Sequence, residues 1–203
     1  MRWKGCLVAI TSLLLSTFSI AQNSVTVGIP TAEFNFVSSA QLHTEWCWAA
    51  SVQMVLNWYN IPVKQTDVVD RIYGKPVDEA ATEDAIRVAL SGTAYDRQGK
   101  KVHLHAERRL GAPPVSLLIE QLGEQRPILV TVHSTKTMLH AVVLTSAEYV
   151  NSGKDTRVTS LTFRDPNPEF HDRHTAATVS LKGEKLARFA KTISSYYVVS
   201  VKE

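Results

Sequence analysis

The spacing of hydrophobic positions changes about halfway along the chain. In the first half, apolar residues after Cys47 recur at intervals of three and four through Tyr59, which predicts a helix with a broad buried face. Two further helices are predicted over 65–73 and 83–90, and Thr82 is placed to cap the second of them. In the second half, short β-branched and apolar runs replace this periodicity, which is typical of strands. Strands are predicted over 101–106, 127–132, 140–146, 158–164 and 195–201, with helices over 115–122 and within 182–191.

Helices that precede strands indicate an α+β fold. We expect an N-terminal helical half packed on a C-terminal antiparallel sheet, because each layer must bury its apolar face against the other. Residues 151–154, with the sequence Asn-Ser-Gly-Lys, are predicted to form the turn that joins strands 140–146 and 158–164. The polar segment 23–39 is predicted to run over the surface as an extended arm.

The first 21 residues have the organisation of a cleavable secretory signal. Arg2 and Lys4 precede an apolar stretch from Leu7 to Ile20, and small residues stand at the expected cleavage position. The apolar stretch is shorter than the ~20 residues of a membrane-spanning helix. We therefore expect a periplasmic or extracellular protein, with one domain over 22–203 and no stable membrane insertion after cleavage.

Charge and cysteine content exclude several classes of function. The formal net charge is +3, from 22 basic and 19 acidic residues, and the signal carries two of the basic ones. Such a balance argues against a nucleic-acid-binding protein. Of the two cysteines, Cys6 lies in the signal, so Cys47 is the only thiol of the mature chain. A lone thiol in an exported protein is either reactive or an intermolecular link. One cysteine and scattered histidines provide no zinc-site spacing, so no metal or other cofactor is expected.

Cys47 is predicted to lie in the first turn of its helix, with Thr44 as a possible N-cap. The positive end of the helix dipole and the unpaired N–H groups there favour the nucleophilic thiolate. The alternative is that Cys47 is a small buried hydrophobe in an apolar helix. Gln41 stands shortly before Cys47, so its amide and the backbone N–H of Cys47 could together stabilise an oxyanion.

Thiol chemistry also needs a base and a group that orients this base. Among the seven histidines, His140 opens an apolar strand and is the preferred base. His133 is a weaker alternative, and His43 lies in a predicted loop. Asp165 ends the returning strand, where its carboxylate could meet His140. Asn167 is the alternative orienting residue, and Asp165 could instead serve only to begin a turn.

In their order, these motifs resemble those of the papain-like cysteine proteases. The matching segments are Gln41, Trp46-Cys47-Trp48-Ala49-Ala50, Leu139-His140-Ala141-Val142-Val143 and Asp165-Pro166-Asn167-Pro168. The chain is most similar to the small bacterial branch that contains the secreted effector proteases of plant pathogens, and bacteriocin leader peptidases are more distant relatives. The resemblance implies a papain-like fold with the active site in the cleft between the helical half and the sheet.

By this resemblance, Cys47 is the nucleophile, His140 the base, Asp165 the orienting residue and Gln41 the oxyanion donor. Trp46 and Trp48 are candidate substrate-binding residues of the cleft, and the alternative is that they belong to the core. We therefore expect an exported, monomeric cysteine peptidase that acts on peptides or proteins. The alternatives are a peptidoglycan amidase or acyltransferase with the same cysteine and histidine, and a non-catalytic binding protein on the same fold.

Overall fold

The computed structural model describes residues 24–152, 155–167 and 174–202. The predicted signal over 1–21 lies outside the described residues, as do Pro168 and the last two positions of the predicted 151–154 turn. Helices and one antiparallel sheet make up the described chain, so the predicted α+β class is confirmed. Within the described ranges, no helix is long and apolar enough to cross a membrane.

Helices and strands alternate more than the sequence pattern predicts. The helices are α1 (Thr31–Phe34), α2 (Cys47–Trp58), α3 (Gln65–Tyr73), α4 (Glu83–Ala89), α5 (Val115–Gly123) and α6 (Gly183–Thr192). The strands are β1 (Ser24–Gly28), β2 (Gly92–Tyr95), β3 (Lys101–Leu110), β4 (Ile128–His133), β5 (Leu139–Ser152), β6 (Asp155–Asp165), β7 (Ala177–Lys182) and β8 (Ile193–Lys202).

The sheet has the strand order β2-β3-β8-β4-β5-β6-β7, and β1 also pairs with β5. All pairings are antiparallel. The long strand β5 has two partners on one side: β4 pairs with its first part and β1 with its second. Strand β5 is therefore an inner strand of the sheet, and it contacts α2 of the helical half.

The sheet separates two hydrophobic cores. On β4, Leu129 belongs to the core shared with α2, α3 and α4, whereas Ile128 and Val130 belong to the core shared with α5 and α6. Alternate residues of a strand point to opposite faces, so each face of the sheet is covered by its own helices. The predicted helical half corresponds to α2, α3 and α4, which cover one face of the sheet.

Two local predictions are wrong. Thr44 does not cap α2: the N-cap is Trp46, whose backbone N–H donates to the carbonyl of His43 at 3.2 Å in a preceding turn. Residues 23–39 were expected to form an extended arm, but they contain β1 and α1. Backbone pairing with β5 explains the strand, and this pairing leaves no periodic signal in so short a segment.

Candidate active site

Cys47 is the first residue of α2, and the two indoles beside it are buried. The Trp46 Nε1–H donates to the carbonyl of Val77 at 2.7 Å, and the Trp48 Nε1–H donates to the carbonyl of Glu79 at 3.1 Å. Both indoles therefore anchor the loop before α4 against the start of α2. At the first helical position, the N–H of Cys47 has no carbonyl of its own helix to bind.

Ser51 links the helix of Cys47 to the strand of His140. Its side chain is fully buried, and its Oγ donates to the carbonyl of Ala141 at 3.1 Å. Ser51 lies one turn after Cys47, and Ala141 follows His140 in β5. This hydrogen bond sets the position of the thiol relative to the imidazole.

His140 and Asp165 meet where β5 begins and β6 ends. The Nε2–H of His140 donates to Asp165 Oδ1 at 2.7 Å, which leaves Nδ1 as the ring nitrogen available to Cys47. Asp165 Oδ1 also accepts the backbone N–H of Asn167 at 2.9 Å. The structure thus places the Asp165 carboxylate against His140, and the backbone of Asn167 holds this carboxylate in place.

The imidazole of His140 interacts with both neighbours. Burial by itself would lower the pKa of His140, but hydrogen bonds to Asp165 and Cys47, and the negative charges on both, raise the pKa to about 10. The Cys47 thiol is therefore within hydrogen-bond reach of His140. In this arrangement the imidazolium form is favoured, and an imidazolium next to a thiol favours the thiolate.

Gln41 lies between the start of α2 and the end of β6. Its backbone N–H donates to the carbonyl of Pro166 at 2.8 Å. Its Nε2 donates to the carbonyls of His43 at 2.9 Å and Thr44 at 2.7 Å, so the amide braces the loop that leads to Cys47. The structure places Gln41 against Pro166, which follows Asp165, and directs its amide hydrogens into the loop before Cys47.

Gln65 is a site residue that the sequence pattern does not reveal. This buried side chain accepts the N–H of Leu42 at 2.9 Å and donates to the carbonyl of Ala40 at 2.8 Å. The two bonds bracket Gln41, so Gln65 fixes the backbone on both sides of it. In the sequence, Gln65 appears only as the first residue of α3.

Cys47 and His140 open into a narrow cleft with a volume of about 20 Å³. The other lining residues are Glu45, Trp48, Ala80, Ala81, Ile86, Thr131, Leu139 and Ala141. Trp48 therefore belongs to both the core and the cleft wall, whereas Trp46 is buried and is not among these lining residues. His43 and His133, the two other candidate bases, are both exposed. His133 ends β4, and the ring centroid of His43 lies 4.2 Å from that of Trp46.

Thr131 connects this cleft to a partly buried carboxylate. Its Oγ1 donates to Glu83 Oε1 at 2.7 Å, and Arg108 lies 3.7 Å from the other oxygen of Glu83. Burial raises the pKa of Glu83, but hydrogen bonds from Thr131 and two serines, with the charge of Arg108, bring it below its usual range. Across the described residues, no group of His, Cys, Asp and Glu could hold a metal ion.

Comparison with known proteins gives one family and one fold. The model of the Peptidase_C39 like family matches residues 31–196. The peptidase domain of Streptococcus ComA, a bifunctional ABC transporter involved in a quorum sensing pathway, is similar in structure with a TM-score of 0.51 and 14% identity. The alignment covers 81% of this chain and 98% of that one.

A second solved structure, the digestive procathepsin L2 proteinase from Tenebrio molitor larval midgut, has a TM-score of 0.50 and 11% identity. That alignment covers 86% of this chain and 68% of the other. The predicted papain-like fold is confirmed by these similarities. The comparison with curated proteins finds no match.

Proposed function

The chain belongs to the Peptidase_C39 like family, and from this premise we propose that it is a cysteine peptidase that hydrolyses peptide bonds through an acyl-enzyme on Cys47. The observation that carries the proposal is the chain of contacts through His140, which binds Asp165 on one side and Cys47 on the other. A nucleophile, a base and an orienting carboxylate within hydrogen-bond reach form the arrangement that covalent catalysis needs.

In the proposed reaction, His140 Nδ1 takes the proton of the Cys47 thiol, and Asp165 stabilises the resulting imidazolium through Nε2. The thiolate attacks the scissile carbonyl, and the imidazolium then gives its proton to the leaving amine. A thioester remains on Cys47. His140 next removes a proton from water, which attacks the thioester and releases the carboxylic acid with the thiol restored.

The proposed oxyanion donors are the N–H of Cys47 and the side-chain amide of Gln41. The first N–H has no partner within α2, because Cys47 is the first helical residue. For the second, one of the two Nε2 hydrogen bonds to the loop carbonyls would be exchanged for a bond to the substrate oxygen. Removal of one such donor typically costs about 3 kcal/mol of transition-state stabilisation.

The proposed substrates are peptides or proteins, and the proposed enzyme is a monomer that acts outside the cytoplasm. The support for export is the pattern of basic and apolar residues over 1–21. The support for a peptide substrate is the family together with the cleft into which Cys47 and His140 both open.

The deciding experiment is alkylation of the mature protein with iodoacetamide over a range of pH, with the rate read at Cys47. We expect fast alkylation in the wild type and a clearly slower rate in His140→Ala, because the imidazole no longer takes the thiol proton. Cys47→Ala, which removes the thiol, is the control for labelling and should abolish peptide cleavage. An alkylation rate that is indifferent to His140 at every pH would overturn the proposal and favour a binding protein.

A further inference from the structure

A second, larger depression lies on the sheet face opposite the cleft, and we call it the α5–α6 groove. Its volume is about 520 Å³, within the roughly 300–1,000 Å³ of small-molecule sites. Leu144, Leu161 and Ile193 form part of the lining and belong to the core of α5 and α6. The other described lining residues are Ala112, Pro113, Val115, Leu118, Thr156, Arg157, Val158, Thr159, Gly183, Leu186, Ala187 and Ala190.

Helix α6 forms one wall of the groove and stays largely exposed to solvent. Gly183, Leu186, Ala187 and Ala190 all line the groove at helical spacing, yet no residue of α6 is buried. A helix of this length depends on burial of its apolar face for stability. Phe189 secures one edge by stacking on Phe163 at 4.8 Å. The groove-facing side of α6 therefore has apolar surface that a ligand could cover.

Arg157 is the one charged residue among the described residues that line the groove. Its guanidinium is exposed and makes no hydrogen bond or ion pair with a described residue. The two threonines of the lining are committed elsewhere: Thr156 Oγ1 donates to Asn151 Oδ1, and Thr159 Oγ1 donates to the carbonyl of Glu148. Arg157 is therefore the polar group that can bind an anionic end of a ligand.

The surroundings of the groove favour a small molecule over a protein partner. A protein interface covers about 800 Å² on each partner and has large apolar side chains at its centre. Of the large hydrophobic residues described as exposed, only Val115 lines the groove. The outward side of α6 carries charged residues instead, among them the ion pair of Arg188 and Glu184. A ligand whose apolar part is enclosed by the groove fits this pattern.

We infer that the α5–α6 groove binds a long-chain fatty acid, with its hydrocarbon chain between α5 and α6 and its carboxylate at Arg157. The volume and lining of the groove match a single acyl chain, and the position of Arg157 matches one negative charge. The site lies across the sheet from Cys47, so the inference is independent of the proposed peptidase activity.

The test is a fluorescence titration of the mature protein with cis-parinaric acid. We expect saturable binding at one site, and at least ~10-fold weaker binding in Ala187→Trp and in Ala190→Phe, which place a large side chain in the groove. Arg157→Glu should weaken binding of the acid by about 10-fold and leave binding of its methyl ester unchanged. Circular dichroism and the alkylation rate of Cys47 report whether each variant is folded.

Arg188→Glu is the matched control, because it makes the same charge change on the outward side of α6 and should leave binding unchanged. Absence of saturable binding would overturn the inference. So would unchanged binding in both folded variants that fill the groove. Equal loss of acid binding in Arg157→Glu and Arg188→Glu would overturn the placement of the carboxylate at Arg157.

Discussion

The Nε2 of His140 lies 2.7 Å from Oδ1 of Asp165, and both side chains are largely shielded from water, with exposed fractions of 21% and 17%. Because the contact joins the start of β5 to the end of β6, the hairpin between them sets its geometry. Solvent ions screen such a pair weakly. The contact also fixes which ring nitrogen faces Cys47.

Asp165→Asn should shift the pH dependence of the site. The pKa of His140 is raised to about 10, so the imidazolium persists until the pH rises through that value. Without the Asp165 charge this pKa falls, and the alkaline limb of kcat/KM, where the imidazolium must protonate the leaving amine, moves to lower pH. We expect the maximal rate to fall by about 100-fold or more. Rates measured across pH on both proteins check this.

Asn167→Ala separates the two possible orienting residues. The backbone N–H of Asn167 donates to Asp165 Oδ1, and the substitution keeps this N–H. We therefore expect a pH profile close to that of the wild type. If the loss follows Asn167→Ala and not Asp165→Asn, then the assignment of Asp165 is wrong.

The same raised pKa makes stability depend on pH. The folded protein binds the His140 proton more tightly than the unfolded chain, whose histidine pKa is about 6.5. The His140 contribution to the free energy of unfolding is therefore complete below pH ~6.5 and is lost as pH rises through about 10. Urea unfolding of wild type and His140→Gln should show this decline in the wild type and a smaller one in the variant.

Ser51→Ala should disturb both stability and thiol reactivity. The substitution leaves the buried carbonyl of Ala141 without its donor, at a cost of about 1–2 kcal/mol. It also loosens α2 against β5, so the alkylation rate of Cys47 should fall. Ser146→Ala is the matched control, since Ser146 Oγ donates to the carbonyl of Val27 at 3.0 Å, away from the cleft. An equal loss of reactivity in both variants would show that the effect is only one of stability.

Gln65→Leu should reduce turnover through Gln41. The variant loses the bonds to Ala40 and Leu42 and leaves their backbone groups unpaired, so we expect a loss of about 2–3 kcal/mol in unfolding free energy. Because Gln41 would act on the transition state, kcat should fall more than KM changes. Steady-state kinetics on one peptide substrate check the split. A change confined to KM would place Gln65 in substrate binding instead.

Gly28→Ala should detach β1 from β5. Gly28 has φ +134°, and a Cβ there would lie 2.3 Å from the carbonyl oxygen of Thr145. We expect a loss of about 3 kcal/mol. Gly123→Ala is the contrast, because its Cβ would lie at an ordinary contact distance of 4.0 Å from Val27 Cγ1, and alanine stabilises a helix by up to ~1 kcal/mol. Thermal unfolding of the two variants should therefore move in opposite directions.

The sequence pattern predicts the inner elements of the fold more readily than the two edge strands. Helix α2 and strand β4 have strong periodicity or apolar runs, because the core imposes them. Strand β2 is mostly exposed at the edge of the sheet, so it has no alternation to detect. Strand β7, at the other edge, does alternate, with Ala177, Val179 and Leu181 on its more buried face, and the sequence prediction overlooked it.

The candidate reactive side chains are easier to select from the sequence than their environment is to predict. Cys47, His140 and Asp165 stand out because each is a chemically unusual residue at the end of a predicted element. Gln65 is an ordinary amide until the fold brings it against 40–42. The direction in which the Gln41 amide hydrogens point also depends on the geometry of the loop, which no sequence spacing encodes.

Residues 24–41 reach the site through contacts with the far end of the chain. Arg164 Nη2 donates to the carbonyl of Thr31, 133 positions away, and Ser38 Oγ donates to the carbonyl of Ala176, 138 positions away. Contacts of such sequence separation close large loops and form late in folding. The loop that carries Gln41 to Cys47 is therefore completed only when β6 and β7 have been synthesised and paired. A nascent or truncated chain would hold Cys47 without its surroundings, so the proposed activity would begin only after these strands have folded.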